Sequence, residues 1–242
     1  MTWVAREATV RRIVDGALRG RSPLLLGGPG MGRSTTANAA AERLRARGIA
    51  VAVEELGDDA TELGPTHDSV TIRTGGIALH RTLAKPGSAP APGGGPIQRV
   101  PLVPLLRRDL RAWAASEGFA LREDEIERAF RASGGQPAVI AAWFEAHRAT
   151  PSLEKLEERA LARCAPLFAR IDEALAHPEL AKPWEWLAPR GTATVQELRM
   201  ATGATKASLD RLTLAGPVSR TLGAAAEIAA TCALYLRHGA QR

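Results

Sequence analysis

The sequence predicts an α/β protein: a reduced parallel sheet with flanking helices, followed by an α-rich C-terminal region. Three observations carry this expectation. The apolar run Pro23-Leu24-Leu25-Leu26 leads into a glycine-rich turn, a helix and a second strand, the βαβ order that builds parallel sheets. Helical periodicity dominates beyond Leu105. The last segment strings short helices together and follows them with a strand signal.

The elements follow in order. Arg6 to Leu18 carries Val10, Ile13, Val14, Ala17 and Leu18 on one helical face, and Gly20 ends it. After the first strand comes the turn Gly27-Gly28-Pro29-Gly30-Met31-Gly32, then an alanine-rich helix over Arg33 to Arg47 closed by Gly48. Ile49 to Leu56 reads as the second strand and Ser69 to Arg73 as the third. Residues 86–96 are rich in Pro and Gly and read as a flexible loop. Ile97 to Leu105 is the expected last strand of the sheet. Helices are expected over Leu106–Glu117, Arg122–Ala132, Gln136–His147 and Ser152–Leu175. A further helix ends at Trp184, Trp186 and Leu187, with both tryptophans expected in the core. Thr194–Ala201 and Thr205–Leu214 form two short helices with Gly203 between them, Pro217–Leu222 a wing strand, and Ala225–Arg237 a final apolar helix. Helix, turn, helix and strand is the order of a winged helix-turn-helix.

The 242 residues hold 45% apolar and 24% charged residues, which excludes a disordered chain, a collagen or a disulfide scaffold. The net charge is +6, and all but four of the 32 basic residues are arginine. Arginine forks match phosphate and carboxylate, so the charge permits an anionic partner without selecting one. Cys164 and Cys232 lack metal-ligand spacing, and the first residues lack the apolar stretch of a signal peptide. No run is long enough to cross a membrane. These features predict a cytoplasmic protein with no membrane association. His67 and His80 lie near loops without partners at ligand spacing.

Gly27-x4-Gly32-Arg33-Ser34 matches the phosphate-loop pattern G-x-x-x-x-G-K-[ST] everywhere except at the lysine. Its glycines let backbone N–H groups turn onto phosphate oxygens, and the next helix adds its positive end. The candidate nucleotide-binding residues are Gly27, Gly28, Gly30, Gly32, Arg33, Ser34 and Thr35, with Ser34 the Mg²⁺ ligand for bound ATP or ADP. Arg33 keeps the charge but is longer and forked where a compact ammonium is expected.

Hydrolysis also needs a carboxylate at the end of an apolar strand. Val51-Ala52-Val53-Glu54-Glu55 is the only candidate, and two readings stay open. Either Glu54 and Glu55 end an ordinary strand and the acidic motif is deleted, or a strand-helix pair has been lost and these residues activate water. Asp58 and Asp59 read as solvated turn residues.

With these motifs in place, the chain resembles the P-loop ATPases of the AAA+ and STAND groups over nearly its whole length. Arg6-Glu7 resembles the motif preceding their loop. Thr71-Ile72-Arg73-Thr74-Gly75-Gly76 is similar to their sensor strand, and Val100-Pro101-Leu102-Val103-Pro104-Leu105 to the strand leading into their lid. Gly134-Gly135-Gln136-Pro137 is similar to a lid motif near the nucleotide base. The resemblance implies a reduced P-loop NTPase sheet over residues 1–105, a helical lid over 106–150, and a linker helix with a winged helix over 151–242. It further implies homo-oligomers, for which Arg73 and Arg81 are the weak candidates as trans-acting arginines.

The C-terminal segment from Arg190 carries seven basic residues against three acidic ones. Lys206, Ser208, Asp210 and Arg211 are expected to face outward, and Lys206, Ser208, Arg211 and Arg220 are the candidate contacts to duplex DNA. Asp210 on that face would repel a phosphate backbone, which favours packing against protein. Three functions follow: a regulatory or scaffolding subunit that binds nucleotide with little hydrolysis and engages a protein partner, a winged-helix DNA-binding regulator, or an ATPase working through Glu54 or Glu55.

Overall fold

In the computed structural model, residues 6–63, 70–79, 96–150, 152–221 and 226–240 are described. His67, His80, Arg81, most of the Pro/Gly-rich stretch, Leu222 and Ala225 lie outside them. Contacts divide the chain into two units, one spanning residues 1–28 and 32–102, the other 29–31 and 103–242.

The first unit holds α1 (Glu7–Leu18), β1 (Ser22–Leu26), α2 (Arg33–Arg45), β2 (Val51–Glu55), β3 (Val70–Gly75) and β4 (Ile97–Pro101). All strand pairings are parallel, in the order β2-β3-β1-β4. The strand that feeds the glycine-rich turn is therefore interior, with Leu25 level with Thr74 on one side and Val100 on the other. Burial on both sides explains why β1 reads as an unbroken apolar run. Leu24 and Leu26 pack with Leu79 into one core cluster. The helices bury Val10, Ile13 and Val14 of α1 and Ala37, Ala40, Ala41 and Leu44 of α2. Small alanines let α2 approach closely, which a bulkier helix would prevent. The expected strand to Leu105 stops at Pro101, and α2 stops at Arg45, with Gly48 in left-handed conformation just beyond.

The second unit contains α3 (Arg107–Ser116), α4 (Glu123–Ser133), α5 (Pro137–Ala149), α6 (Leu153–Leu175) and α7 (Pro178–Leu187). β5 (Thr192–Thr194), α8 (Val195–Thr202), α9 (Lys206–Leu214), β6 (Val218–Arg220), β7 (Glu227–Ala230) and α10 (Ala233–Ala240) complete it. Trp143, Phe144 and Trp113 build an edge-to-face core between α3 and α5. β5, β7 and β6 form a small antiparallel sheet with β7 in the middle.

Two expectations need correction. The stretch expected as one apolar helix from Ala225 is first a strand and then a helix. Glu-Ile-Ala-Ala favours helix locally, but β7 gains backbone partners on both sides and buries Ile228, and that pairing wins. Trp184 and Trp186 are only partly buried: Trp184 contacts the Tyr235 ring, and Arg190 stacks over Trp186 at 4.1 Å.

Candidate phosphate-binding loop

The turn after β1 keeps the backbone that its sequence implies. Gly30 and Gly32 adopt φ of 74° and 76°, left-handed values that side chains other than glycine rarely take. Gly32 caps α2, so the helix starts at Arg33 and its first N–H groups face the loop. Thr36 ties the first turn by donating its hydroxyl to the Gly32 carbonyl at 2.7 Å. Ser34 is half-buried in that turn and Thr35 is exposed.

Arg33 is mostly enclosed, with its side chain 13% exposed, and its Nη2 donates to the Asp58 carboxylate. Its Nη1 is buried without a hydrogen-bond partner among the described residues. Asp58 is therefore an ion-pair partner, where the sequence suggested a solvated turn residue. It is held there by packing: the place of a Cβ on Gly76, just past β3, is taken by Asp58 backbone atoms at 2.5–2.6 Å. A buried arginine nitrogen without an acceptor carries a desolvation cost that an anion would remove.

The middle of the turn, Pro29 to Met31, groups with the second unit. Gln136 Nε2 donates to the Pro29 carbonyl at 3.1 Å and the Ala138 N–H to the Gly30 carbonyl at 3.1 Å. Met31 is fully buried, and Gly30 lies against Leu167 and Ala138. Gln136 is fully buried with its Oε1 unpaired among the described residues.

Glu54 and Glu55 close β2, the edge strand beside β3. Glu54 stands level with Arg73 and accepts from its Nε at 2.6 Å. Arg73 is 2% exposed, so burial rules it out as an arginine reaching into another subunit. Glu55 is exposed. The residues that sequence reading missed are thus Asp58 and the Arg73–Glu54 pair, because opposite charges on neighbouring strands meet only through register.

The candidate DNA contacts separate. Lys206 is exposed at the start of α9. Ser208 and Arg211 are buried, contrary to the outward orientation expected. Ser208 turns back to the Thr205 cap, and Arg211 ion-pairs with Glu179 of α7. Helical periodicity put them outward because it cannot see a second helix packing on that flank. Arg220 is half-buried and donates to Asp210 at 2.7 Å. Cys164 and Cys232 are free and buried, and desolvation pushes both thiols up to about 12. Among the described residues no acidic, histidine or cysteine cluster suits a metal, and no helix is long and apolar enough to cross a membrane.

No protein-family model and no curated protein matches the chain. Among solved structures it is similar to the Walker-type ATPase Paby2304 of Pyrococcus abyssi. Identity is 15%, coverage is 96% of this chain and 95% of that one, and the TM-score is 0.52. The chain has the P-loop NTPase fold. A variant of RuvB from Thermotoga maritima also aligns, at 15% identity over 94% of this chain and 92% of that one, with a TM-score of 0.43. In P-loop terms, the residues present suit the phosphate end of a nucleotide: a left-handed glycine pair, a helix N-terminus and an unsatisfied buried guanidinium nitrogen. Of the two carboxylates that end β2, Glu54 is engaged by Arg73 and Glu55 is exposed.

Proposed function

We propose that the chain binds ATP or ADP through Gly27, Gly28, Gly30, Gly32, Arg33, Ser34 and Thr35, with Ser34 as the Mg²⁺ ligand. The bound nucleotide sets its conformation as a regulatory or scaffolding subunit and is hydrolysed little. The observation that carries this reading is Arg33 at the first position of α2, half-neutralised by Asp58 and holding a second, buried nitrogen without an acceptor. A nucleotide phosphate supplies that acceptor. Nucleotide then shifts the protein only as far as its affinities for two arrangements differ.

We read α7, β5, α8, α9, β6 and β7, in that order, as a winged helix, and this module as a surface for protein. Arg211 and Arg220 are already paired to Glu179 and Asp210, which leaves Lys206 as the exposed cation on α9. A partner protein, including further copies of this chain, is the expected associate.

The test is calorimetric titration with ATP and ADP, with and without Mg²⁺, beside Arg33→Ala. Micromolar binding is expected, weakened roughly ten- to a hundredfold in the variant, as for loss of a charged hydrogen bond worth about 1.5–3 kcal/mol. No binding up to millimolar nucleotide, or equal binding by Arg33→Ala, overturns the reading.

A further inference from the structure

The first unit carries a second basic site at the start of β1, whose other end feeds the glycine-rich turn. A cleft of about 430 Å³ opens along α1 beside the edge strand β4, lined by Arg11, Arg12, Arg19 and Arg21 with Gln98 across from them. Among the described residues Asp15 is the one carboxylate in its wall, outnumbered there by four arginines. Arg11, Arg12, Asp15 and Arg19 recur at helical spacing, so they stand on one exposed stripe of α1.

The cleft is built into the packing. Gly16 lies in the last turn of α1. A Cβ there would sit 1.8 Å from Gln98 Oε1, so the tip of the Gln98 side chain occupies the space that the glycine leaves open. Gln98 Nε2 donates to the Arg12 carbonyl at 3.2 Å and Arg12 Nη2 to the Arg99 carbonyl at 3.1 Å, which pins the stripe against the strand. Arg11 has only a long contact to Glu7, at 3.9 Å. Arg19 and Arg21 are exposed and make no ion pair among the described residues, although carboxylates are plentiful in the chain.

We infer that this cleft binds the sugar–phosphate backbone of a nucleic-acid duplex. Arg12 and Arg19, the latter the C-terminal cap of α1, are seven residues apart, roughly 10 Å at the rise of a helix, enough to reach two adjacent phosphates of one strand. A single phosphate would engage only part of the row. Among the described residues no aromatic lines the cleft, and its apolar lining is Ala8 and Gly16. Those residues offer neither a stacking platform for unpaired bases nor an anchoring pocket for a peptide side chain. Guanidinium forks on backbone oxygens bind without reading sequence, and such binding weakens steeply with salt.

The experiment is fluorescence anisotropy of a short labelled DNA duplex titrated with the full chain over a series of salt concentrations. Arg19→Glu with Arg21→Glu, both exposed, is compared with Lys206→Glu, and polyglutamate serves as competitor. The expected result is sequence-independent binding that falls at least about tenfold in the double variant, with the salt slope shallower by about 2, one unit per lost phosphate contact. Lys206→Glu leaves it unchanged. Three results overturn the inference: an unchanged slope in the double variant, loss through Lys206→Glu instead, or displacement by polyglutamate as effective as by unlabelled DNA. Nucleotide affinity is measured on the same variants and is expected to stay constant, so this site and the glycine-rich turn stand or fall separately.

Discussion

Arg33 and Asp58 set the character of the loop at the scale of single residues. Lysine at this position would offer a compact charge, whereas arginine gives one arm of its fork to the Asp58 carboxylate and leaves the other for a further acceptor. Asp58 then competes with any phosphate for the same guanidinium. Removing its charge in Asp58→Asn is expected to tighten nucleotide binding about fivefold, the equivalent of roughly 1 kcal/mol for a partly exposed pair. Calorimetry checks this, and a weaker Asp58→Asn complex would mean that Asp58 positions Arg33 instead of opposing its ligand. The Arg73–Glu54 pair has a different balance. Arg73 is buried in the sheet, so Glu54 is committed to a neighbour that cannot move into water.

Among the elements, α8 shows how local chemistry positions a surface. Thr194 accepts from the Glu197 N–H at 3.1 Å, and Glu197 accepts from the Thr194 N–H at 2.8 Å, a reciprocal cap that starts the helix directly after β5. Thr194→Ala is expected to destabilise the protein by about 1 kcal/mol, read as a lower urea midpoint with unchanged nucleotide affinity. α9 is oriented by tertiary contacts as well as by its Thr205 cap. Leu209 and Leu212 are buried as their spacing implies, and Arg211 follows them inward because Glu179 on α7 receives it.

Across the whole molecule, carboxylates held below their ordinary range recur in both units. Glu7 is lowered chiefly by the hydrogen bond from Arg43 and Glu123 by that from Arg107. Glu125 and Glu197 are lowered by backbone N–H groups at the starts of α4 and α8. A carboxylate with a depressed folded-state pKa adds stability that is complete above its unfolded value and lost as pH falls through the folded one. The urea midpoint is therefore expected to be flat near neutrality and to fall as the pH drops into and below the ordinary carboxylate range. A midpoint that stays level across that range would show that these pairs contribute little.

Most elements are legible in the chain itself. Periodicity, the glycine turn and the caps locate α1 to α6, α8, α9 and the four parallel strands within about four residues and the end of α7, though not its start or β5, because each depends on neighbours close in sequence. The loop is legible for the same reason: Gly30 and Gly32 can take backbone angles that other residues avoid. The state of its key side chain is not. Asp58 meets Arg33 only because a turn packs onto Gly76, Glu54 meets Arg73 only through strand register, and β7 becomes a strand only because β5 and β6 flank it. Those outcomes rest on contacts between residues distant in sequence, whose energies no local pattern contains.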